Sequence, residues 1–319
     1  MEQKILITGI TGQDGIFLAS KLLKKNIEVF GITRNRNLKY LKTCLTSLSV
    51  QNFNKLNLIE ADLLHSKSLE ILFKKFNFTD VYNFSGPSSV YTSLVDNGQT
   101  KNEIIKIFEN LITASLNMEK LPNFFQASSS EMFGPNNLNM LNEKSSFNPI
   151  SPYAVGKLHN HNKVLELAKQ YSWNIKSGIM FNHESEFRKN NYLFTKVINA
   201  AKKIKKNEIK KLSLGSLDYC RDWTFSGDVV DAAMLALDSG SHPSYVIGTG
   251  ISKSIRELVE LTFNYFDLDW TKYIEIDEKL LRKNDPIKVI ADPKLIMKEL
   301  NWQPTISFQS LVNRCISKS

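Results

Sequence analysis

No apolar run in this chain approaches the ~20 residues that a helix needs to cross a bilayer, so no membrane span and no membrane partner is expected. Cysteine is scarce as well. Cys44, Cys220 and Cys315 are scattered and odd in number, which points to a reducing compartment, a cytoplasmic protein and no metal site. Met1-Glu2-Gln3-Lys4 leads straight into an apolar segment, so no signal peptide is expected. An acidic balance is missing too: 41 Lys and Arg stand against 32 Asp and Glu, a formal charge of +9. The lysines lie in dispersed pairs such as Lys24-Lys25, Lys74-Lys75, Lys202-Lys203, Lys205-Lys206 and Lys210-Lys211. No RNA- or DNA-binding motif surrounds them, so they read as solvated helix faces, and a nucleic-acid role rests on charge alone. A positive field does favour an anionic, diphosphate-bearing small molecule.

What the chain does have is an ordinary globular composition, 42% hydrophobic and 23% charged over 319 residues. That is enough for a large core and two lobes around one cleft. Its organising stretch is Ile5-Leu6-Ile7-Thr8-Gly9-Ile10-Thr11-Gly12-Gln13-Asp14-Gly15. Three apolar residues read as a buried strand. Glycines follow at 9, 12 and 15, and Phe17, Leu18, Leu22 and Leu23 then recur at helical spacing. The glycines therefore sit where a strand turns into a helix. Glycine permits the tight turn and a close approach of backbone to phosphate, and the helix N-terminus offers N–H groups and partial positive charge. A glycine triplet alone is weak; with strand, turn and helix in register it reads as a dinucleotide site.

Glu28 to Thr33 reads as the second strand. An acidic residue at its end would favour NAD through the ribose 2′-OH. Thr33-Arg34-Asn35-Arg36 has no carboxylate and two arginines, so a 2′-phosphate fits better and NADP is expected. Leu56 to Leu63 reads as a third strand. Its Asp62 either contacts adenine or caps the helix that starts near Ser66. Thr79 to Gly86 reads as a fourth strand, about Asn102 to Met118 as a long helix, and Phe124 to Ser130 as a fifth strand ending in three hydroxyls. This alternation predicts an α/β fold: a doubly wound parallel-sheet (Rossmann) nucleotide-binding domain with a smaller C-terminal substrate domain. Binding residues then collect at the carboxyl ends of the strands.

In Ser151-Pro152-Tyr153-Ala154-Val155-Gly156-Lys157, Ser151 suits an N-cap and Pro152 the first helical position. Tyr153 and Lys157 then share one helical face. A nearby ammonium stabilises a phenolate, which would bring Tyr153 below its usual value of ~10 and make it a general base.

These blocks resemble the extended short-chain dehydrogenase/reductase superfamily, and within it the GDP-mannose 4,6-dehydratases. The likeness is carried by the glycine stretch, by Gln126-Ala127-Ser128-Ser129-Ser130-Glu131-Met132-Phe133-Gly134, by the Tyr153/Lys157 block, and by Phe181-Asn182-His183-Glu184-Ser185. It continues in Leu214-Gly215-Ser216-Leu217-Asp218, Arg221-Asp222-Trp223 and Leu300-Asn301-Trp302-Gln303-Pro304, in the family's order along nearly the whole chain.

The resemblance implies a reaction. Tyr153 takes the proton of the sugar 4-OH while hydride leaves C4 for NADP⁺. Glu131 removes the acidified C5 proton and helps to expel the C6 hydroxyl as water. Hydride returns to C6, and a 4-keto-6-deoxy sugar nucleotide leaves with no net redox. Ser129 bonds the 4-oxygen, and Lys157 holds the nicotinamide ribose. By the same resemblance the cofactor lies against Gly9, Thr11, Gly12, Gln13, Asp14 and Gly15, with Arg34, Asp62, Leu63, Phe84 and Ser85 further along it. His183 joins that set as a support of the loop, beside Tyr153 and Lys157. The GDP-sugar would meet Ser88, Asn182, Glu184 and Lys196, and its charges would pair with Arg221 and Arg282, whose forks match phosphate oxygens.

The family returns to its nucleotide-binding lobe near Asp228 to Gly250. A discontinuous division is expected: 1–181 plus about 223–250 for NADP, and about 182–222 plus 251–319 for the sugar nucleotide.

Three departures stand out. After Asn83 the chain reads Phe84-Ser85-Gly86-Pro87-Ser88-Ser89, with a serine in place of the family's usual histidine. Pro87 stiffens the turn, so the sugar pocket differs, with room for a related substrate such as a GDP-heptose. The loop after Arg34 is rich in Asn and Lys rather than Arg and Ser. A homodimer through the long helices is expected, with a tetramer as the alternative. Phe133 replaces a tyrosine and reads as packing. The rivals are a sugar-nucleotide 4-epimerase or 4-reductase, against which Glu131 argues, and a non-catalytic NADP-binding protein, against which the complete Ser129, Glu131, Tyr153 and Lys157 set argues.

Overall fold

The strands of the large sheet are short and apolar because helices cover both of its faces. In the computed structural model the described residues are 2–34, 38–135, 140–190, 192–281 and 284–318. Among them the chain runs β1 (Lys4–Thr8), α1 (Gln13–Lys24), β2 (Glu28–Thr33), α2 (Leu38–Ser47), β3 (Leu56–Glu60), α3 (Ser66–Phe76), β4 (Asp80–Asn83), α4 (Val90–Val95), α5 (Gln99–Leu116), β5 (Asn123–Ser129), α6 (Pro152–Tyr171) and β6 (Ile175–Met180). It continues through β7 (Asn182–Glu184), α7 (Leu193–Lys205), β8 (Leu212–Leu214), β9 (Cys220–Phe225), α8 (Ser226–Ser239), β10 (Ser244–Ile247), β11 (Ser252–Ser254), α9 (Ile255–Tyr265), β12 (Ile274–Ile276), α10 (Lys294–Leu300) and α11 (Phe308–Lys318).

Among the described residues, seven strands pair in parallel in the order β10-β6-β5-β4-β1-β2-β3. This is the doubly wound sheet expected from the alternation, and its winding reverses between β1 and β4. Pleating sends alternate side chains to opposite faces. Ile5, Ile7, Val29 and Tyr82 join Ile16, Leu22, Leu41 and Val230 on the side of α1, α2 and α8. Leu6, Phe30, Val81 and Phe124 join Phe73, Phe108, Leu111 and Val164 on the side of α3, α5 and α6. Each such fully buried side chain contributes roughly 1.5–3 kcal/mol of transfer free energy.

The chain leaves this sheet after β6 and returns at β10. In between, β7 pairs in parallel with β9, and β9 pairs antiparallel with β11. β8 pairs with β12 in a separate ribbon. These small sheets sit beyond the carboxyl end of β6, where the second half of the site is built. The lysine pairs named above are exposed, apart from the half-buried Lys202.

Several boundaries differ from the sequence expectation. The third strand stops at Glu60, because Asp62 turns the chain: its carboxylate accepts from the Leu64 N–H at 3.0 Å. Asp62 therefore does not cap α3, whose N-cap residue His65 makes no side-chain bond. The long helix begins at Gln99 because Asp96 accepts from the N–H groups of Gly98 and Thr100, both at 3.1 Å. Phe133 is fully buried against Phe147, as packing predicts. Among the described residues no helix is long and apolar enough to cross a membrane.

Candidate active site

The turn from β1 to α1 is built on backbone. Gly9 has φ +71°, and a Cβ there would stand 2.7 Å from the Phe84 carbonyl oxygen. A Cβ on Gly15 would stand 2.5 Å from the carbonyl oxygen of Gly9. Gly12 closes the turn by donating its N–H to Gly9 at 2.9 Å, and as N-cap of α1 it supplies no side-chain acceptor. The first-turn N–H groups are thus uncapped by any side chain, and Thr11 is half-buried in the turn. An anion can use such a terminus.

Gln13 and Asp14 are engaged as ties. Gln13 donates to the His183 carbonyl at 2.9 Å and accepts from Ser185 at 2.8 Å. Asp14 accepts from Ser226 at 2.5 Å and meets His183 Nε2 at 3.0 Å, while His183 Nδ1 lies 2.8 Å from the Phe181 carbonyl. Burial alone would raise the Asp14 carboxyl, but the His183 charge and hydrogen bond hold it below its ordinary value. Burial alone would lower His183, but Asp14 raises it. His183 therefore supports the loop from β7. Phe84 packs between Tyr82 and Phe125. Ser85 donates to Asn83 Oδ1 at 2.6 Å, and the Leu63 carbonyl accepts from Asn110. Arg34 is exposed just past β2; Arg36 lies outside the described residues.

A second group of side chains meets where β5 ends and α6 begins. The Ser129 hydroxyl accepts from the Glu131 N–H at 3.2 Å, which fixes the short 3₁₀ turn Ser130–Phe133 that carries Glu131. Ser151 caps α6 by accepting from the Ala154 N–H at 3.1 Å, with Pro152 behind it. Tyr153 and Lys157 are buried one turn apart, and Ser129 hydrogen-bonds the Tyr153 phenol. Lys157 Nζ donates to the Ala127 carbonyl at 2.8 Å and lies 5.7 Å from the Tyr153 ring centroid.

The electrostatics correct one expectation. Tyr153 is pushed up to about 12, chiefly by burial and then by the nearby Glu131 charge, against the Ser129 hydrogen bond. Burial brings Lys157 down to about 8. Desolvation is the largest cause at both groups in the chain by itself.

Beside these groups lies an open cleft. Glu131, Ser151, Asn182 and Arg221 line it together with Asp285, and Val90, Leu94, Ile150 and Val289 give it an apolar wall. Arg221 is buried and already held: Nη2 meets Asp285 at 2.9 Å, and Nη1 donates to the carbonyls of Cys220 and Pro286. Three expected substrate residues sit elsewhere. Ser88 meets the Tyr192 hydroxyl, Glu184 is buried 3.2 Å from Arg188 Nε, and Lys196 donates to the Ser213 carbonyl. Arg282 lies outside the described residues. Sequence reasoning missed Arg188, Tyr192 and Asp285, whose partners are set by the tertiary fold rather than by any local motif.

A family model for GDP-mannose 4,6 dehydratase matches residues 6–315. The chain belongs to that family. GDP-mannose 4,6 dehydratase 2 of Arabidopsis thaliana is 32% identical to it over 320 residues, covering 98% of this chain and 86% of that protein. Among solved structures, DesIV, a dTDP-glucose 4,6-dehydratase from Streptomyces venezuelae with NAD bound, superposes with a TM-score of 0.85 at 19% identity, covering 99% of this chain and 96% of that one. RMD from Pseudomonas aeruginosa, complexed with NADPH, gives 0.80 at 21% identity, covering 99% and 98%. Those two likenesses carry the fold. Membership of the GDP-mannose 4,6 dehydratase family agrees with the blocks from the glycine turn to Pro304, and the Ser129, Glu131, Tyr153 and Lys157 set is present in this member.

Proposed function

We propose that this chain catalyses the NADP-dependent 4,6-dehydration of a GDP-hexose, GDP-mannose in the first instance. The observation that carries the reading is the meeting of Ser129, Glu131 and Tyr153 beside one cleft whose lining also holds Asn182 and Arg221. Family membership and the curated dehydratase relatives support the GDP-sugar. The backbone cradle at Gly9 to Gly15 supports a dinucleotide diphosphate, and the neighbours solved with NAD and NADPH support a nicotinamide cofactor. Arg34 and the missing carboxylate after β2 favour the 2′-phosphate of NADP.

In this reading Ser129 donates to the sugar 4-oxygen and Tyr153 accepts the 4-OH proton. Lys157 holds the cofactor ribose and tunes the phenol. Glu131 takes the C5 proton and delivers a proton to the departing C6 hydroxyl. Arg221 and Asn182 hold the diphosphate, with Arg282 as a further cation. A bound nicotinamide would supply the hydride acceptor and donor that oxidation at C4 and reduction at C6 require, together with the positive charge of its oxidised form. The two-part division of the chain, with α8 and β10 returning to the large sheet, and a homodimer through α5 and α6, belong to the same proposal.

The test is mass spectrometry of GDP-mannose after incubation with the purified protein and NADP⁺. Loss of one water without accumulation of NADPH is the expected result. An unchanged mass for both GDP-mannose and GDP-heptoses defeats the proposal.

A further inference from the structure

Ser88 and Tyr192 stand 104 residues apart, yet their hydroxyl oxygens meet at 2.5 Å. Ser88 follows β4, the strand beside the point where the winding of the sheet reverses. Tyr192 is the N-cap residue of α7, beyond β7. The bond therefore runs from the carboxyl edge of the large sheet to an element outside it. The Tyr192 ring is fixed in place: the Arg188 guanidinium carbon lies 3.7 Å from its centroid, and Arg188 Nε lies 3.2 Å from the buried Glu184 carboxylate. A guanidinium stacked this closely restricts the ring in a way that a lone hydrogen bond does not.

The cluster also lies close to both ends of the candidate cofactor site. The Arg188 charge acts on Asp14, at the start of α1, on His183, on β7, and on Tyr153, at the start of α6, where the Tyr192 phenol acts as well. A ligand stretched along the carboxyl edge from the glycine turn to Tyr153 passes this bridge.

We propose that Ser88 and Tyr192 form a clasp, braced by Arg188, that crosses the mouth of the cofactor cleft and slows release of the nicotinamide dinucleotide between turnovers. The proposal rests on the cofactor reading above and moves Ser88 from the sugar to the clasp. The chemistry gives such a clasp a use. A dehydration that returns its own hydride leaves the cofactor ready for the next cycle, so retention costs the enzyme no turnover. Tyr192 is here a positioning residue.

The experiment loads the full chain with NADPH, whose fluorescence reports binding, mixes it with excess NADP⁺, and follows dissociation. Tyr192→Phe removes the hydroxyl and keeps the ring; Ser88→Ala removes the partner. Each variant is expected to release NADPH roughly two- to tenfold faster, the range of one net hydrogen bond. The double variant is expected to release it no faster than either single one, because both lose the same bond. An unchanged melting temperature would show that faster release reflects the clasp rather than loss of fold. Wild-type release rates in both single variants overturn the clasp and leave the dehydratase reading standing, as does a double variant whose effect is the product of the two. A wild-type chain that binds neither NADPH nor NADH overturns the cofactor reading, and the clasp with it.

Discussion

Lys157 and Tyr153 lie one turn apart on α6, and burial drives both toward their neutral forms. For Lys157 the folded value, about 8, lies below the ordinary 10.5. The native state therefore binds fewer protons than the unfolded one between those values, and its stability rises with pH across that interval. Below it the fold carries the full cost of a buried ammonium. Lys157→Met is expected to stabilise the protein at pH 7 by roughly 1–3 kcal/mol while abolishing cofactor binding, a trade of stability against function. Urea unfolding at pH 7 and pH 10 checks it: the gain should shrink at the higher pH, and a lower midpoint at pH 7 contradicts the account. Glu131 is tested differently. Glu131→Gln keeps the shape and removes the proton acceptor, so dehydration should fall by at least about 100-fold with NADPH binding intact. Full water loss in that variant removes the role given to Glu131. These residues were legible because each sits in a short motif whose spacing survives in the fold. Asp285 was not legible. Its pairing with Arg221 spans 64 residues, and no local pattern encodes it.

Element boundaries depend on which backbone groups find partners, and this is where sequence reading ran long. The apolar pattern of the third strand runs on to Leu63, but the Asp62 carboxylate turns the chain at Leu64, and β3 pairs with β2 only as far as Glu60. The glycine turn was legible for the opposite reason, since its geometry admits little else. Gly15→Ala would put a methyl 2.5 Å from the Gly9 carbonyl oxygen and from Ile10 Cα, both backbone atoms that cannot swing aside. It is expected to cost roughly 1–3 kcal/mol of stability and to abolish NADPH binding. Normal binding in that variant would mean that the cradle is not the diphosphate site. The start of α1 also carries a pH signature. Asp14 lies below its ordinary 3.8 and His183 above its ordinary 6.5. The Asp14 contribution is present above 3.8 and is lost as pH falls through its lowered value. The His183 contribution is present below 6.5 and is lost as pH rises through its raised value. Asp14→Asn should therefore destabilise most between those two limits and progressively less as the solution turns alkaline. Urea midpoints measured across pH 4 to 9 test this, and a flat difference between the two proteins would contradict it.

At the scale of the molecule, the order of the large sheet was legible because alternating strands and helices leave few right-handed ways to wind it. What was not legible is how the C-terminal helix is fastened. Arg314 on α11 reaches Glu186, in the segment after β7, with Nε at 2.8 Å and Nη2 at 2.6 Å. Glu186 is almost wholly buried, and Lys318 adds a weaker approach at 3.5 Å. Arg314 also covers the rings of Phe225 and Phe17, at 4.6 and 6.0 Å from their centroids. One fork thus ties together α11, α1, β9 and the segment that leads to Arg188. Removing one member of a buried pair leaves the other charge without compensation, which costs more than the pair contributes. Arg314→Leu should therefore lower stability by roughly 3 kcal/mol, whereas adding Glu186→Leu to it should restore most of the loss. Urea unfolding of the two variants decides the matter. A double variant as unstable as the single one would mean that Arg314 acts through its packing on Phe225 and Phe17. In that case Arg314→Met, which keeps an apolar stem over those rings, should recover the stability that Leu loses.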